Sequence, residues 1–122
     1  MKNKHELRIK LMTLLYQQDI IKDRPLNLDD ETGAIFLEIN QSLTEIDDVI
    51  KTNLTNYTID RLSFVDRAII RLAVYEMLKT ETPKPVIINE AIILTKDYSN
   101  LDDQKQSAFT NKLLDNISKR IG

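Results

Sequence analysis

The stretch from Arg61 to Lys96 constrains the fold most, because it holds two apolar helix patterns joined by a short turn between prolines. Apolar residues surround nearly the whole of the first pattern, Phe64–Lys79, which is typical of a helix at the centre of a bundle. Pro83 and Pro85 end that pattern, and Pro85 suits the first turn of a second helix at about Val86–Tyr98. The stretch therefore predicts a buried helical hairpin.

Helical patterns also lie on both sides of this hairpin. They predict helices at about Lys4–Ile20, at Asp29–Ile39, from Ser42 onward and at about Gln104–Arg120. Ser42 has the capping-box spacing to Glu45, and Ser63 is expected to cap the central helix. The residues expected to face inward in the last helix are Ala108, Leu113, Leu114, Ile117 and Ile121. No alternating strand pattern is found, so the sequence predicts an all-α fold with residues 1–122 as one domain.

Composition excludes several classes of function. The chain has no cysteine, which rules out disulfides and thiol chemistry and fits a reducing cytoplasm. It has no apolar run long enough to span a membrane and no secretory signal pattern, so we expect a cytoplasmic protein with no membrane partner. Its one histidine, His5, has no second candidate ligand, and no glycine-rich phosphate loop occurs. We therefore expect no metal, no cofactor and no catalytic residue.

Charge is distributed unevenly along the chain, although its net value is only −2. Residues 1–24 have six basic residues against three acidic ones, whereas residues 25–60 have one against eight. The small net charge argues against indiscriminate coating of nucleic acid, and the basic first segment indicates a localised patch. Ordinary surface variation between helices is the alternative.

The first helix has a pattern that suits single-stranded RNA. At 100° per residue, His5, Met12 and Tyr16 lie within about 40° of one another, with Lys4 and Arg8 alongside. Cations neutralise the phosphates of such an RNA, and an aromatic ring stacks on a base. The alternative is that Tyr16 is a half-buried core residue.

Polar residues adjoin the predicted core in the later helices. Those expected to be structural are Arg71, Asn89 and Glu90. Polar groups between helices are usually satisfied by a neighbour, and Arg71 is expected to pair with Glu76. By contrast, Asp66, Arg67 and Glu76 are expected to reach a surface where a partner binds.

Several blocks of the chain have a polar pattern more specific than a helical bundle requires. Arg61–Glu76 nearly matches R-L-x-x-V-D-R-A-I-L-R-L-A-x-Y-E, and Pro83–Lys96 resembles P-x-x-V-A-I-N-E-A-V-x-L-A-K. Phe109–Asp115 resembles F-V-N-G-V-L-D, and in the first helix Leu7-Arg8 and Leu15-Tyr16 resemble an A-R…L-Y pattern. Together these blocks resemble the NusB family of bacterial transcription antitermination factors along nearly the full length.

The resemblance implies an all-helical domain of two small packed bundles without catalytic activity. It implies binding of the boxA RNA element of nascent ribosomal transcripts, as a heterodimer with the small-subunit ribosomal protein NusE, within an RNA polymerase antitermination complex. By position, RNA contacts are implied for Lys4, His5, Arg8, Tyr16, Lys105, Phe109 and Asn111. Contacts with NusE are implied for Asp66, Arg67 and Glu76. A homodimer of the free protein stays open.

These roles predict the effects of three substitutions. Arg8→Ala and Tyr16→Ala are expected to weaken RNA binding while thermal stability stays nearly unchanged. Asp66→Lys is expected to weaken NusE association, because it reverses a charge at the implied interface.

Two departures from the family pattern bear on RNA binding. The start of the chain is poorer in arginine than is common in the family, which predicts weaker and less salt-dependent binding. Lys112 replaces the glycine of F-V-N-G, and it either projects outward or adds a phosphate contact. Two alternatives stay open. The arginine-poor start favours a protein-interaction module with reduced RNA binding. An rRNA cytosine methyltransferase has an N-terminal RNA-binding domain of the same fold, and this chain would then be a fragment of such an enzyme.

Overall fold

The chain folds into helices joined by short connections. A computed structural model describes residues 3–21, 29–55, 57–99 and 104–121. Within these ranges there are six α-helices and no strand: α1 Lys4–Ile20, α2 Asp30–Gln41, α3 Leu43–Asn53, α4 Phe64–Lys79, α5 Lys84–Leu94 and α6 Gln104–Ile121. A 3-10 turn, Ile59–Arg61, precedes α4, and a π-helical turn, Thr95–Ser99, follows α5. The all-α prediction is confirmed.

Local signals explain where several helices begin and end. The Ser63 hydroxyl accepts a hydrogen bond from the backbone N–H of Asp66 at 3.1 Å, so Ser63 caps α4 as expected. Pro85 lies in the first turn of α5, whose regular part ends at Leu94, short of the expected Tyr98. The capping box at Ser42 is wrong, because α2 runs almost directly into α3 and the Ser42 side chain makes no capping hydrogen bond.

Helix α4 is the centre of the fold. It packs against α1, α3, α5 and α6, and the buried residues on it cover nearly its whole circumference. One bundle contains α1, α2 and α3 with α4, and a second contains α4, α5 and α6, as the resemblance implied. Apolar side chains from both bundles form one core, in which Leu15, Ile69 and Leu114 are almost fully buried.

One expectation about the core is wrong. Ala108 lies exposed on α6, whereas the neighbouring polar residues Ser107 and Thr110 turn inward. Leu113, Leu114 and Ile117 are buried as expected. Among the helices described, none is both long and apolar enough to cross a membrane.

Candidate nucleic-acid and partner interface

Arg8 forms a two-point ion pair with Glu76 of α4. The Arg8 Nε donates to Glu76 Oε2 at 2.9 Å and its Nη2 donates to Oε1 at 2.8 Å. The two side chains are only 8% and 12% exposed. The hydrogen bond with Glu76 raises the pKa of Arg8, and burial opposes this effect. The expected surface positions of Arg8 and Glu76 are therefore wrong: this pair joins α1 to α4 inside the fold.

Arg71 is structural as expected, but its partners differ from the expected Glu76. Its Nε and Nη2 donate to the two carboxylate oxygens of Asp47 on α3, both at 2.9 Å. Its Nη1 donates to Asp19 on α1 at 3.0 Å. Burial lowers the pKa of Arg71, but the hydrogen bonds and charges of Asp47 and Asp19 outweigh it and raise the pKa. This cluster of Arg71, Asp19 and Asp47 ties α1 and α3 to the central helix.

Asp66 and Arg67 shape the start of α4. Asp66 is buried, and its carboxylate accepts hydrogen bonds from the hydroxyls of Ser63 at 2.8 Å and Ser99 at 2.5 Å. Arg67 donates to two backbone carbonyls of the preceding turn, and its guanidinium lies 5.2 Å from the centre of the Phe64 ring. The expectation that Asp66 reaches the surface is wrong, and the Arg67 side chain is 12% exposed. The exposed group here is Phe64, at 44%.

The start of α1 is open to solvent, with Lys4 exposed and the His5 side chain 39% exposed. The His5 Nδ1 lies 3.1 Å from Glu90 Oε2, which joins α1 to α5. Met12 is buried in the core, so the exposed stripe expected to run from His5 to Tyr16 is interrupted between these two residues. Tyr16 itself is 36% exposed. A stacking role remains open to its ring, but not as part of a continuous exposed face.

An apolar groove of about 440 Å³ opens beside Lys4. Its walls are Leu7, Leu11, Ile35, Leu72, Tyr75 and the turn Thr80–Pro83, with Arg8 and Glu76 among them. Burial raises the pKa of the Tyr75 hydroxyl, and a hydrogen bond to Glu38 raises it further. A neutral phenol therefore lies beside the ion pair in this groove at neutral pH.

Helix α6 places its three candidate RNA residues on two different faces. Lys105 and Phe109 are about 40° apart, whereas Asn111 lies about 200° from Phe109 around the helix. Asn111 lines a groove of about 480 Å³ between α5 and α6, together with Asn89 and Lys84. Asn89 is exposed there, so its expected structural role is not seen.

Phe109 lines a separate groove of about 220 Å³. Lys112, which is exposed, lines it too, so the lysine that replaces the family glycine is accessible to solvent. The Phe109 ring lies 5.7 Å from that of Tyr57. The sequence patterns gave no sign of this pair, because Tyr57 stands in the connection before α4 and has no helical register.

Fold and surface together define a class: an all-helical domain whose buried ion pairs fix helix packing and whose first and last helices both expose lysines. No group of three or more metal-ligating side chains occurs in the part of the chain that the structure describes.

Comparison with known proteins identifies the family. The profile of the NusB family matches residues 5–119, so the chain belongs to the NusB family. Transcription antitermination protein NusB of Treponema denticola is 42% identical over 100 residues, which cover 77% of this chain and 71% of that protein. The structure of T. maritima NusB has a TM-score of 0.81 at 28% identity and covers 97% of this chain and 92% of that one.

A third comparison concerns a complex. A structure described as the antitermination factors NusB and NusE in complex with dsRNA has a TM-score of 0.78 at 25% identity. The match covers 96% of this chain and 96% of that chain. The family expected from the sequence motifs is confirmed.

Proposed function

We propose that this protein is a transcription antitermination factor that binds boxA-type RNA as a heterodimer with NusE, in the cytoplasm. The observation that carries the proposal is the family match over residues 5–119. Similarity to a NusB chain solved with NusE and dsRNA supports both partners. Within the cell, the heterodimer acts in an RNA polymerase antitermination complex.

One proposed RNA surface runs from α1 across α5 to α6. The His5 Nδ1 lies 3.1 Å from Glu90 Oε2 of α5. The preceding residue, Asn89, is exposed and shares a groove with Asn111 of α6. Lys4 stands at the α1 end of this path and supplies a cation for phosphate. The two amides are groups that hydrogen-bond to base edges. Arg8 contributes by holding α1 in place through its buried pair.

The proposed NusE surface lies around the start of α4. Asp66 links α4 to the π-helical turn through Ser99, and Arg67 lies against Phe64. Phe64 is 44% exposed and Tyr98, in that turn, is 47% exposed. Two exposed aromatic rings beside these polar contacts suit a protein partner. Asp66 and Arg67 thus act on the interface through the groups they position.

The alternatives make different predictions. A methyltransferase fragment is less well supported, because the relatives compared are named as antitermination proteins. A module that binds NusE without RNA preference differs from the proposal only in its affinity for boxA. A homodimer of the free protein is tested by its mass in light scattering, with and without NusE.

The proposal predicts salt-dependent RNA binding that NusE strengthens. A labelled boxA RNA is expected to bind more tightly when NusE is present, and the Kd is expected to rise about tenfold between 50 and 200 mM salt, as for a few phosphate contacts. Fluorescence anisotropy with a scrambled RNA as control measures both effects. Binding to NusE with equal affinity for the two RNAs would establish the protein-interaction module instead.

The exposed residues of α1 give a second prediction. Lys4→Gln is expected to weaken boxA binding about threefold and to lower the salt slope by about 0.7, because one phosphate contact is lost. Tyr16→Ala is expected to weaken it about tenfold by loss of stacking, while Tm changes little. Anisotropy titrations and thermal melts are the measurements. A Tm lowered by 10 °C or more in Tyr16→Ala would assign that ring to the core.

A further inference from the structure

A basic stripe runs along the outer face of α6. Lys105, Lys112 and Lys119 recur every seven residues, so they lie within about 40° of one another around the helix and about 10 Å apart along it. Phe109 and Asn116 fall between them on the same face. This stripe is distinct from the face of α6 that carries Asn111.

An aromatic pair stands beside the middle of the stripe. The Tyr57 and Phe109 rings are 5.7 Å apart and inclined at 49°, and Tyr57 is 43% exposed. The Tyr57 hydroxyl donates to the backbone carbonyl of Arg61 at 3.3 Å, which holds the ring in place. Phe109 and Lys112 share the adjoining groove with Asn53. Through Phe109, the aromatic pair therefore borders a groove that is lined by a cation and by amide groups.

The positive charge of the lysines on this face of α6 is only weakly neutralised by acidic partners. Lys119 pairs with Asp115 at 3.0 Å, but both side chains are well exposed, so water and salt screen that pair. Neither Lys105 nor Lys112 takes part in an ion pair with any residue that the structure describes. The face thus offers positive charge at a spacing that suits an extended polyanion.

We propose that a segment of single-stranded RNA crosses α6 at this place, with one base stacked on Tyr57 beside Phe109 and a phosphate bound by Lys112. The inference rests on the proposed function and extends it by two residues, Tyr57 and Lys112. It also gives a role to the lysine that stands where the family motif has glycine. Charge complementarity selects RNA as the occupant, since the stripe pairs cations with an exposed ring.

The test uses the full chain with NusE and a labelled boxA RNA that extends by several unpaired nucleotides on each side. Tyr57→Leu is expected to weaken binding about tenfold, and Tyr57→Phe, which keeps the ring, less than twofold. Lys112→Gln is expected to weaken it about threefold and to lower the salt slope by about 0.7. Lys79→Gln is the matched control, because Lys79 pairs with Glu45 at the opposite end of α3 from Asn53.

A fluorescence measurement keeps the test decisive if Tyr57→Leu folds poorly. The chain has no tryptophan, so Tyr57→Trp introduces a single reporter, whose emission is expected to be quenched when RNA stacks on it. Wild-type binding with no quenching and with Lys112→Gln unchanged would overturn the inference and leave the proposed function intact. Weaker NusE association with unchanged RNA affinity would assign the stripe to a protein and overturn it. Failure of the wild-type protein to bind boxA would overturn both.

Discussion

Replacing Arg71 with methionine is expected to lower the free energy of unfolding by about 4 kcal/mol, because it leaves two carboxylates without their cation inside the fold. Arg71 donates to Asp47 at 2.9 Å and to Asp19 at 3.0 Å, and the three side chains are 9%, 19% and 17% exposed. Among the residues that the structure describes, Arg67 is then the cation left beside Asp19, at the longer distance of 3.5 Å. Without Arg71, the carboxylates of Asp19 on α1 and Asp47 on α3 also repel each other.

Urea denaturation followed by far-UV circular dichroism measures this loss, and Tm is expected to fall by about 15 °C. Lys79→Gln breaks an exposed ion pair with Glu45 and is expected to cost less than about 1 kcal/mol. The triple variant Arg71→Met, Asp19→Leu and Asp47→Leu is expected to recover most of the loss, since an apolar cluster replaces the buried charges. An Arg71→Met variant as stable as Lys79→Gln would show that the cluster of Arg71, Asp19 and Asp47 does not stabilise the packing of α1 and α3 on α4.

Replacing Arg8 with alanine is expected to lower the free energy of unfolding by about 3 kcal/mol, because Glu76 then loses a buried two-point partner. This result replaces the expectation drawn from the sequence that Arg8→Ala leaves stability nearly unchanged. A weaker RNA affinity in this variant would not identify a direct contact, since the position of α1 also depends on the pair. Thermal and urea unfolding measure the loss.

A charge exchange separates the two roles of Arg8. In Arg8→Glu with Glu76→Arg the pair is kept with its direction reversed, so the double variant is expected to be more stable than either single one by 1 kcal/mol or more. If Arg8 acts only through the fold, boxA affinity recovers together with stability. Recovered stability with RNA affinity still reduced would instead make Arg8 a direct contact. Equal stability of the double and single variants would show that the side chains at positions 8 and 76 are not energetically coupled.

Helix α4 shows how far local patterns reach. The sequence predicted Phe64–Lys79, and the structure has the same bounds. Both ends depend on local signals: the Ser63 hydroxyl accepts from the backbone N–H of Asp66 in the first turn, and prolines follow within a few residues of the last turn. The same kind of local signal failed at Ser42, where the path of the chain from α2 into α3 leaves no free cap. At Ala108 the inward face of α6 is occupied by Ser107 and Thr110, which an apolar periodicity does not detect.

The candidate sites divide in the same way. The motifs identified the family, and they pointed to Lys4, His5 and Lys105, which are at least partly exposed. They also selected Arg8, Asp66 and Glu76, which the fold uses internally. An identical letter in a motif describes a position along the chain and not the exposure of its side chain.

The sequence by itself determined the helices, the central place of α4 and the family, because helix periodicity, caps and prolines act over a few residues. Only the tertiary structure decided which charges pair. Arg71 reaches Asp47 across 24 positions and Asp19 across 52, while Arg8 and Glu76 are separated by 68 and His5 and Glu90 by 85. Such partners are chosen by the way whole helices pack, since a short-range contact between side chains forms only after the helices that carry them are in place.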